Sequence, residues 1–204
     1  MSAPTPSHLT SKTALRWESA RAHSRQKILH AAGGVFAKDG FESATMKRIA
    51  EVCGVTKVTV YAHFRDKARL YRAVMDGHLA SMPIPTLEMP KEVQLRDRLI
   101  GIVRGVRMLA LDPSCQAFCQ SLMLSELDKL TYMACWTGIL KPYREAAVTA
   151  FAHASPNLEN GADGEKFLRL ILAEQGLPQG LEPVPSSEAT IALFARSYGS
   201  NSSS

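Results

Sequence analysis

The sequence predicts an all-α fold built in two helical parts, and three observations carry that prediction. Apolar residues recur at three- and four-residue steps, the mark of one buried helix face, and no stretch beyond the first part alternates as a half-buried strand does. Two very short helical stretches meet at Gly54, which makes a helix-turn-helix pattern. Pro83, Pro85 and Pro90 then fall within eight residues, where no helix continues, and they divide the chain.

Residues 1–11 (MSAPTPSHLTS) carry two prolines and five Ser/Thr and no core pattern. The stretch from Lys12 to Arg21 turns basic and could be helical, but it lacks an apolar stripe, so residues 1–23 are expected to be a flexible basic arm. Ser24 is a good N-cap, and Ile28, Ala31, Ala32, Val35 and Phe36 follow on one face as far as Gly40, a suitable stop. Thr45 caps a short helix over about residues 46–53 that buries Met46, Ile49, Ala50 and Cys53. Gly54 breaks it, Val55 packs inward, and Thr56 caps a second helix over about residues 57–64. Asp66 caps a longer helix to about Leu79, with Leu70, Tyr71 and Val74 inward. Residues 24–80 are therefore one domain and 81–90 a proline-rich linker. The second domain, 91–198, is expected to hold helices over about 93–111, 114–130, 131–153 (bent at Pro142), 165–175 and 187–198. Residues 199–204 are a disordered tail.

At 204 residues, with 46% hydrophobic and 21% charged, the chain has the composition of a globular protein of one or two domains. Four cysteines are too few and too irregular for a disulfide scaffold. No apolar run approaches the ~18–20 residues that span a bilayer, and the first residues lack the apolar core of a secretory signal. A cytoplasmic setting without a membrane partner is expected. No nucleophile elbow, phosphate loop, paired-histidine zinc motif or dinucleotide glycine signature occurs, so the expectation is no enzyme, no cofactor and no metal. The charge is divided unevenly. Residues 1–80 hold 13 Lys+Arg against 6 Asp+Glu, and residues 81–204 hold 11 against 13. A basic third on a mildly acidic remainder suggests that the basic part meets a polyanion, although a solvated basic face without a partner has the same charge.

A helix-turn-helix sets its second helix in the DNA major groove while flanking elements hold phosphates. Lys57 and Thr59 sit at the start of that helix, where side chains reach base edges. Tyr61, His63 and Lys67 follow and can donate hydrogen bonds to phosphate oxygens. Residues 24–74, from SRQKILHAAGGVF to DKARLYRAV, resemble the DNA-binding domain of the tetracycline-repressor (TetR-type) family. FAKDGFESAT, IAEVCGVTKVTVYAHF and DKARL are the most diagnostic stretches. The resemblance implies a homodimeric transcriptional regulator, most often a repressor, whose C-terminal helices bind an inducer and dimerise. It implies further that Thr45, Lys47 and Arg48 touch DNA from the first short helix, that Lys57, Val58 and Thr59 read bases, and that Tyr61, His63 and Lys67 clamp phosphates. Val58 departs from the glycine frequent at its position, and its branched side chain can instead touch a thymine methyl.

In the second domain, Met108, Phe118, Met123, Tyr132, Met133 and Trp136 are the types that line an adaptable apolar pocket, and also the types that any helical core uses. Two apolar faces follow: Phe167, Leu168, Ile171 and Leu172, then Ile191, Phe194, Ala195 and Tyr198. Family resemblance makes these a dimer interface; an intramolecular core is the competing reading. Cys115 and Cys119, one turn apart, read as small buried hydrophobes, with a redox pair as the alternative. The leading expectation is a sequence-specific regulator that binds a pseudo-palindromic double-stranded operator as a homodimer and is released by a small hydrophobic inducer. The alternative is a non-specific DNA-compacting protein.

Overall fold

The computed structural model describes residues 7–83, 94–154 and 160–178, together with residues 191, 194 and 195. Eight helices and no strand occur among the described residues. The chain divides into two compact units, Met1–Gly77 and His78–Ser204.

In the first unit, helix α1 spans Ser7–Ser43. It begins well before the expected cap at Ser24, so the described part of the expected flexible arm is helical. Residues 13–23 are exposed throughout. Ala14, Leu15, Arg16, Glu18, Ala20, Arg21 and Ala22 are strong helix formers, so propensity extends a helix whose inner end is already nucleated by packing. That inner end buries Ile28, Ala32, Val35 and Phe36. Gly40, at φ 73°, kinks the helix near its end, where a side chain would be strained. Helix α2 spans Met46–Cys53 and buries Met46, Ile49 and Ala50, whereas Cys53 is only partly covered. Left-handed Gly54 closes it, sending its N–H to the carbonyls of Ala50 and Glu51. Helix α3 spans Lys57–His63 and inserts Val60, fully buried, into the shared core. Helix α4 spans Lys67–Ser81, with Leu70, Tyr71, Val74 and Met75 buried. Its first turn is capped by Asp66, whose Oδ1 accepts from the Arg69 N–H at 2.7 Å. The Tyr71 ring meets Phe36 and Phe41 edge-on, at 5.1 and 5.3 Å between centroids.

The second unit contains α5 (Leu95–Leu111), α6 (Pro113–Met123), α7 (Lys129–Ala154) and α8 (Asn160–Glu174). Asp112 ends α5 and caps α6, accepting from the Cys115 N–H at 2.9 Å, with Pro113 in the first turn. α6 ends sooner than the sequence suggested, and residues 124–128 form a turn in which Asp128 takes φ 53°. α7 continues through Pro142. Its Tyr143 hydroxyl donates to the Gly105 carbonyl at 3.1 Å, tying it to α5, and burial pushes the phenol pKa up to about 12. The largest buried side chain is Trp136, whose indole N–H donates to the Pro178 carbonyl at 3.3 Å. The expected linker beyond Pro83, the tail 199–204 and most of the last helix lie outside the described residues.

α8 crosses α7 at Gly164. A Cβ there would stand 2.7 Å from both the backbone N and the Cα of Val148. The backbone on the facing helix cannot rotate away as a side chain could. Gly164→Ala is therefore expected to destabilise the second unit by about 1–3 kcal/mol. Urea unfolding followed by near-ultraviolet circular dichroism reads it; an unchanged midpoint would mean that the helices cross elsewhere in solution.

Candidate nucleic-acid interface

Helix α3 is a platform held from below and open above. Val60 and the C-cap Phe64 anchor its inner side, and the Phe64 N–H bonds the Val60 carbonyl at 2.8 Å. Thr56 caps its start: its hydroxyl accepts from the Thr59 N–H at 3.1 Å and pairs with the Thr59 hydroxyl at 2.9 Å. Lys57, Val58 and Tyr61 are exposed, and Thr59 is half-buried. Val58 is the telling residue. It is 77% exposed, an aliphatic side chain held out in water at the start of a short helix. The Lys57 ammonium lies 5.6 Å from the centre of the Tyr61 ring, so the two share one face. On α2, Thr45 is the N-cap, accepting from the Arg48 N–H at 3.1 Å. Lys47 and Arg48 are exposed, and Lys47 pairs only loosely with Glu51, at 3.9 Å. The sequence-predicted residues Thr45, Lys47, Arg48, Lys57, Val58 and Tyr61 thus stand at the surface of α2 and α3 and the cap before them.

Lys67 is placed differently from expectation. Its ammonium turns inward and donates to the carbonyls of Phe41, Glu42 and Ala44 at 2.6, 3.2 and 2.9 Å, while lying 4.3 Å from the Phe41 ring centre. The kink at Gly40 and the end of α1 leave those carbonyls without helical partners, and a cation suits that negative end of the helix. Lys67 is therefore a clasp between α1 and α4, and its ammonium is not directed to a phosphate. His63 is half-buried. Partial burial, then the charges of Arg21 and Arg25, hold its pKa below the ordinary imidazole value, so near neutral pH it brings a ring N–H and no charge.

The second unit separates the residues that the sequence grouped as a pocket. Phe118, Tyr132 and Trp136 are buried together, Phe118 lying 6.1 Å from Tyr132 and 6.3 Å from Trp136 between ring centres. Met108 and Met123 are exposed, and Met133 is half-buried. The aromatic three are core residues, with Tyr132 and Trp136 each packed on Phe118. An open cavity of about 560 Å³ lies nearby, bordered by Ala110, Gln116, Cys119, Gln120, Met123, Leu124, Gln175, Gly176 and Leu177. Of the expected set only Met123 borders it. The two glutamines on α6 went unnoticed in the sequence, although Gln116, Gln120 and Met123 fall at four- and three-residue steps. The first face assigned to a dimer interface is also core: Phe167, Leu168, Ile171 and Leu172 are all buried within the protomer. Phe167 packs on Phe151 of α7 at 5.9 Å, and Phe194 on both, at 5.6 and 5.3 Å. Ile191 is buried and Ala195 half-buried; Tyr198 lies outside the described residues. An apolar stripe asks only to leave water, and the chain's own α7 covers this one. Cys115 and Cys119 are buried, with sulfurs 3.9 Å apart. Its hydrogen bond with Cys115 and its burial hold the Cys119 thiol protonated, so Cys119 lacks the activated sulfur that a redox sensor needs.

Among the described residues no helix is long and apolar enough to cross a membrane, and no three His, Cys, Asp or Glu side chains are grouped as metal ligands. The family model for bacterial regulatory proteins of the tetR family matches residues 28–74, which run from the buried face of α1 through α4. The first unit thus carries a tetR-family domain. The transcriptional repressor AcnR of Corynebacterium glutamicum is 33% identical over 84 residues, which are 41% of this chain and 40% of AcnR. The match thus spans about two-fifths of that relative. Two solved structures share the fold over most of their length. MexZ, a repressor responsible for antibiotic resistance in Pseudomonas aeruginosa, aligns with a TM-score of 0.60 at 19% identity, over 89% of this chain and 96% of MexZ. AibR in complex with isovaleryl coenzyme A and operator DNA aligns with a TM-score of 0.53 at 20% identity, over 84% of this chain and 95% of AibR. At these identities the likeness is one of fold. The matched tetR-family segment begins at Ile28, so Arg21 and Arg25, which bear on His63, fall outside it. Sequence reading had only their charge to go on.

Proposed function

We propose that this chain is a sequence-specific DNA-binding transcriptional regulator that occupies its operator as a repressing homodimer in the bacterial cytoplasm, and that a small molecule bound by the second unit releases it. The observation that carries the DNA reading is the outer surface of α3, where Lys57, Val58 and Thr59 crowd the first turn of a capped helix. A lysine there can donate to guanine acceptors, a threonine hydroxyl can serve either base type, and an exposed valine has a use against a thymine methyl. A helix that only held phosphates would not need the valine. Thr45, Lys47, Arg48 and Tyr61 fix the register on the sugar-phosphate backbone. His63 contributes one neutral hydrogen bond, and Lys67 acts through the clasp that sets α4 against α1. Repression is the sense suggested by AcnR and MexZ, both described as repressors.

The release mechanism rests on the open cavity of the second unit. Its lining mixes Cys119, Met123, Leu124 and Leu177 with the amides of Gln116, Gln120 and Gln175, which suits a ligand with an apolar body and a hydrogen-bonding end. Such a ligand releases DNA only by binding the DNA-incompetent state more tightly, with a coupling of about 1–3 kcal/mol. Dimerisation is proposed without the face of α8, which the protomer already buries.

Selection of bound duplexes from a random-sequence library, followed by footprinting and sedimentation, tests the whole reading. A pseudo-palindrome with half-sites about one helical turn apart, bound by a dimer, is the expected result. A single asymmetric half-site bound by a monomer would contradict it.

A further inference from the structure

Helix α1 runs back to Ser7, beyond the Ile28 start of the tetR-family match, and from Thr13 to His23 every side chain is exposed. Nothing there is buried, so this stretch presents its side chains to whatever lies outside the core. Its residues are not evenly spread. Trp17, Arg21 and Arg25 recur at four-residue steps, so at 3.6 residues per turn they form one row along the helix. The row ends on the DNA-reading unit itself: the Arg25 guanidinium lies 4.9 Å from the centre of the Phe64 ring, the C-cap of α3. Arg21 and Arg25 are also close enough to His63, the last residue of α3, for their charges to be felt there. The outward continuation of that row holds Trp17, 72% exposed. Arg16, by contrast, lies five residues from Arg21 and points to the opposite side of the helix.

We infer that the Trp17–Arg21–Arg25 row is a second contact surface for double-stranded DNA, holding the sugar-phosphate backbone outside the half-site read by α3. This inference rests on the DNA reading above and adds to it a segment that the family match does not include. Guanidinium groups fit phosphate oxygens by charge and by bidentate geometry. An exposed tryptophan one turn further out offers a flat apolar face for a deoxyribose or an unstacked base edge. Because backbone contacts carry no sequence information, the row adds affinity and register and leaves operator choice to α3. The net positive charge of the first 80 residues, with 13 Lys+Arg against 6 Asp+Glu, favours this partner over another protein surface.

The test uses the full chain with single exposed substitutions that touch no core residue: Trp17→Ala, Arg21→Gln and the opposite-side control Arg16→Gln. Three duplexes are compared: the selected operator cut at its outer half-site edges, the same operator with one extra turn of unrelated sequence at each end, and a random duplex of that longer length. The wild-type chain should bind the flanked operator tighter than the cut one, and Arg21→Gln and Trp17→Ala should lose that gain while matching wild type on the cut duplex. Arg21→Gln should flatten the salt dependence on the flanked duplex by about one unit, so raising salt fourfold should cost it roughly threefold to fourfold less affinity than it costs wild type. Iodide quenching gives an independent readout, since Trp136 is buried and Trp17 is the only other tryptophan. The flanked duplex should shield Trp17 and the cut one should not. Equal binding by wild type and Arg21→Gln on the flanked duplexes, or Trp17 equally quenched in both complexes, overturns the inference. Equal losses from Arg16→Gln and Arg21→Gln overturn it too, because diffuse charge would then be responsible and not a row. If no operator is selected, the function reading fails separately, and the random duplex still shows whether Arg21 and Trp17 strengthen backbone binding.

Discussion

Removing the side chains of Lys57 and Thr59 together is expected to cost about 2–6 kcal/mol of operator binding, taking 1–3 kcal/mol for each base contact. Binding to random duplexes should weaken only by the single lost charge. The asymmetry follows from the position of the pair on the first turn of α3, above the Thr56 cap and beside the exposed Val58. Thr59 also shares a hydrogen bond with Thr56, so Thr59→Ser, which keeps the hydroxyl, is the conservative control. Tyr61→Phe supplies the contrast. It deletes a hydroxyl placed for phosphate and should weaken operator and random DNA by similar factors. Fluorescence anisotropy on both duplexes reads the difference, once far-ultraviolet circular dichroism shows each variant folded. Uniform weakening from Lys57 and Thr59 would place base reading elsewhere.

Lys67→Met should destabilise the first unit by about 2–4 kcal/mol, because hydrogen bonds from a charged donor are individually worth about 1.5–3 kcal/mol and some of the three carbonyls regain water. The methionine keeps most of the stem length and packing near Phe41 but leaves the carbonyls of Phe41, Glu42 and Ala44 without their cation. Lys67→Arg should recover part of the loss, since it restores donors and charge with a different fork. Urea unfolding of the free protein, with no DNA present, is the measurement. A lysine devoted to phosphate would leave that midpoint unchanged and alter only the salt dependence of binding.

The contrast between these two sites shows what was legible in the sequence. Thr45, Thr56 and Asp66 declare themselves as caps because the bonds they make run three residues along the chain. The buried Met46, Ile49, Leu70 and Val74 follow from helical spacing alone. Lys67 does not, because its partners lie 23 to 26 residues away and exist as acceptors only after Gly40 kinks α1. A helix before Ser24 stayed only a possibility in the sequence for another reason: helix propensity without an apolar face leaves no periodic signal, and the helix borrows its nucleus from the packed turns after Ser24. In the second unit the apolar residues of α8 were recognisable as a face, but spacing says nothing of what covers it. Phe167 meets Phe151 of the same chain. The same limit divided the expected pocket: Phe118, Tyr132 and Trp136 are buried, the last two packed on the first, whereas Met108 and Met123 are exposed.

The central claim is that α3 reads sequence, and the ratio of two dissociation constants tests it most directly. The purified chain is titrated against its selected duplex and against a scrambled duplex of equal length, at near-physiological salt. A specific regulator should bind the selected duplex about 10³-fold or more tightly. A ratio near one, with the same salt slope for both duplexes, would contradict the account and leave a protein that coats DNA without reading it.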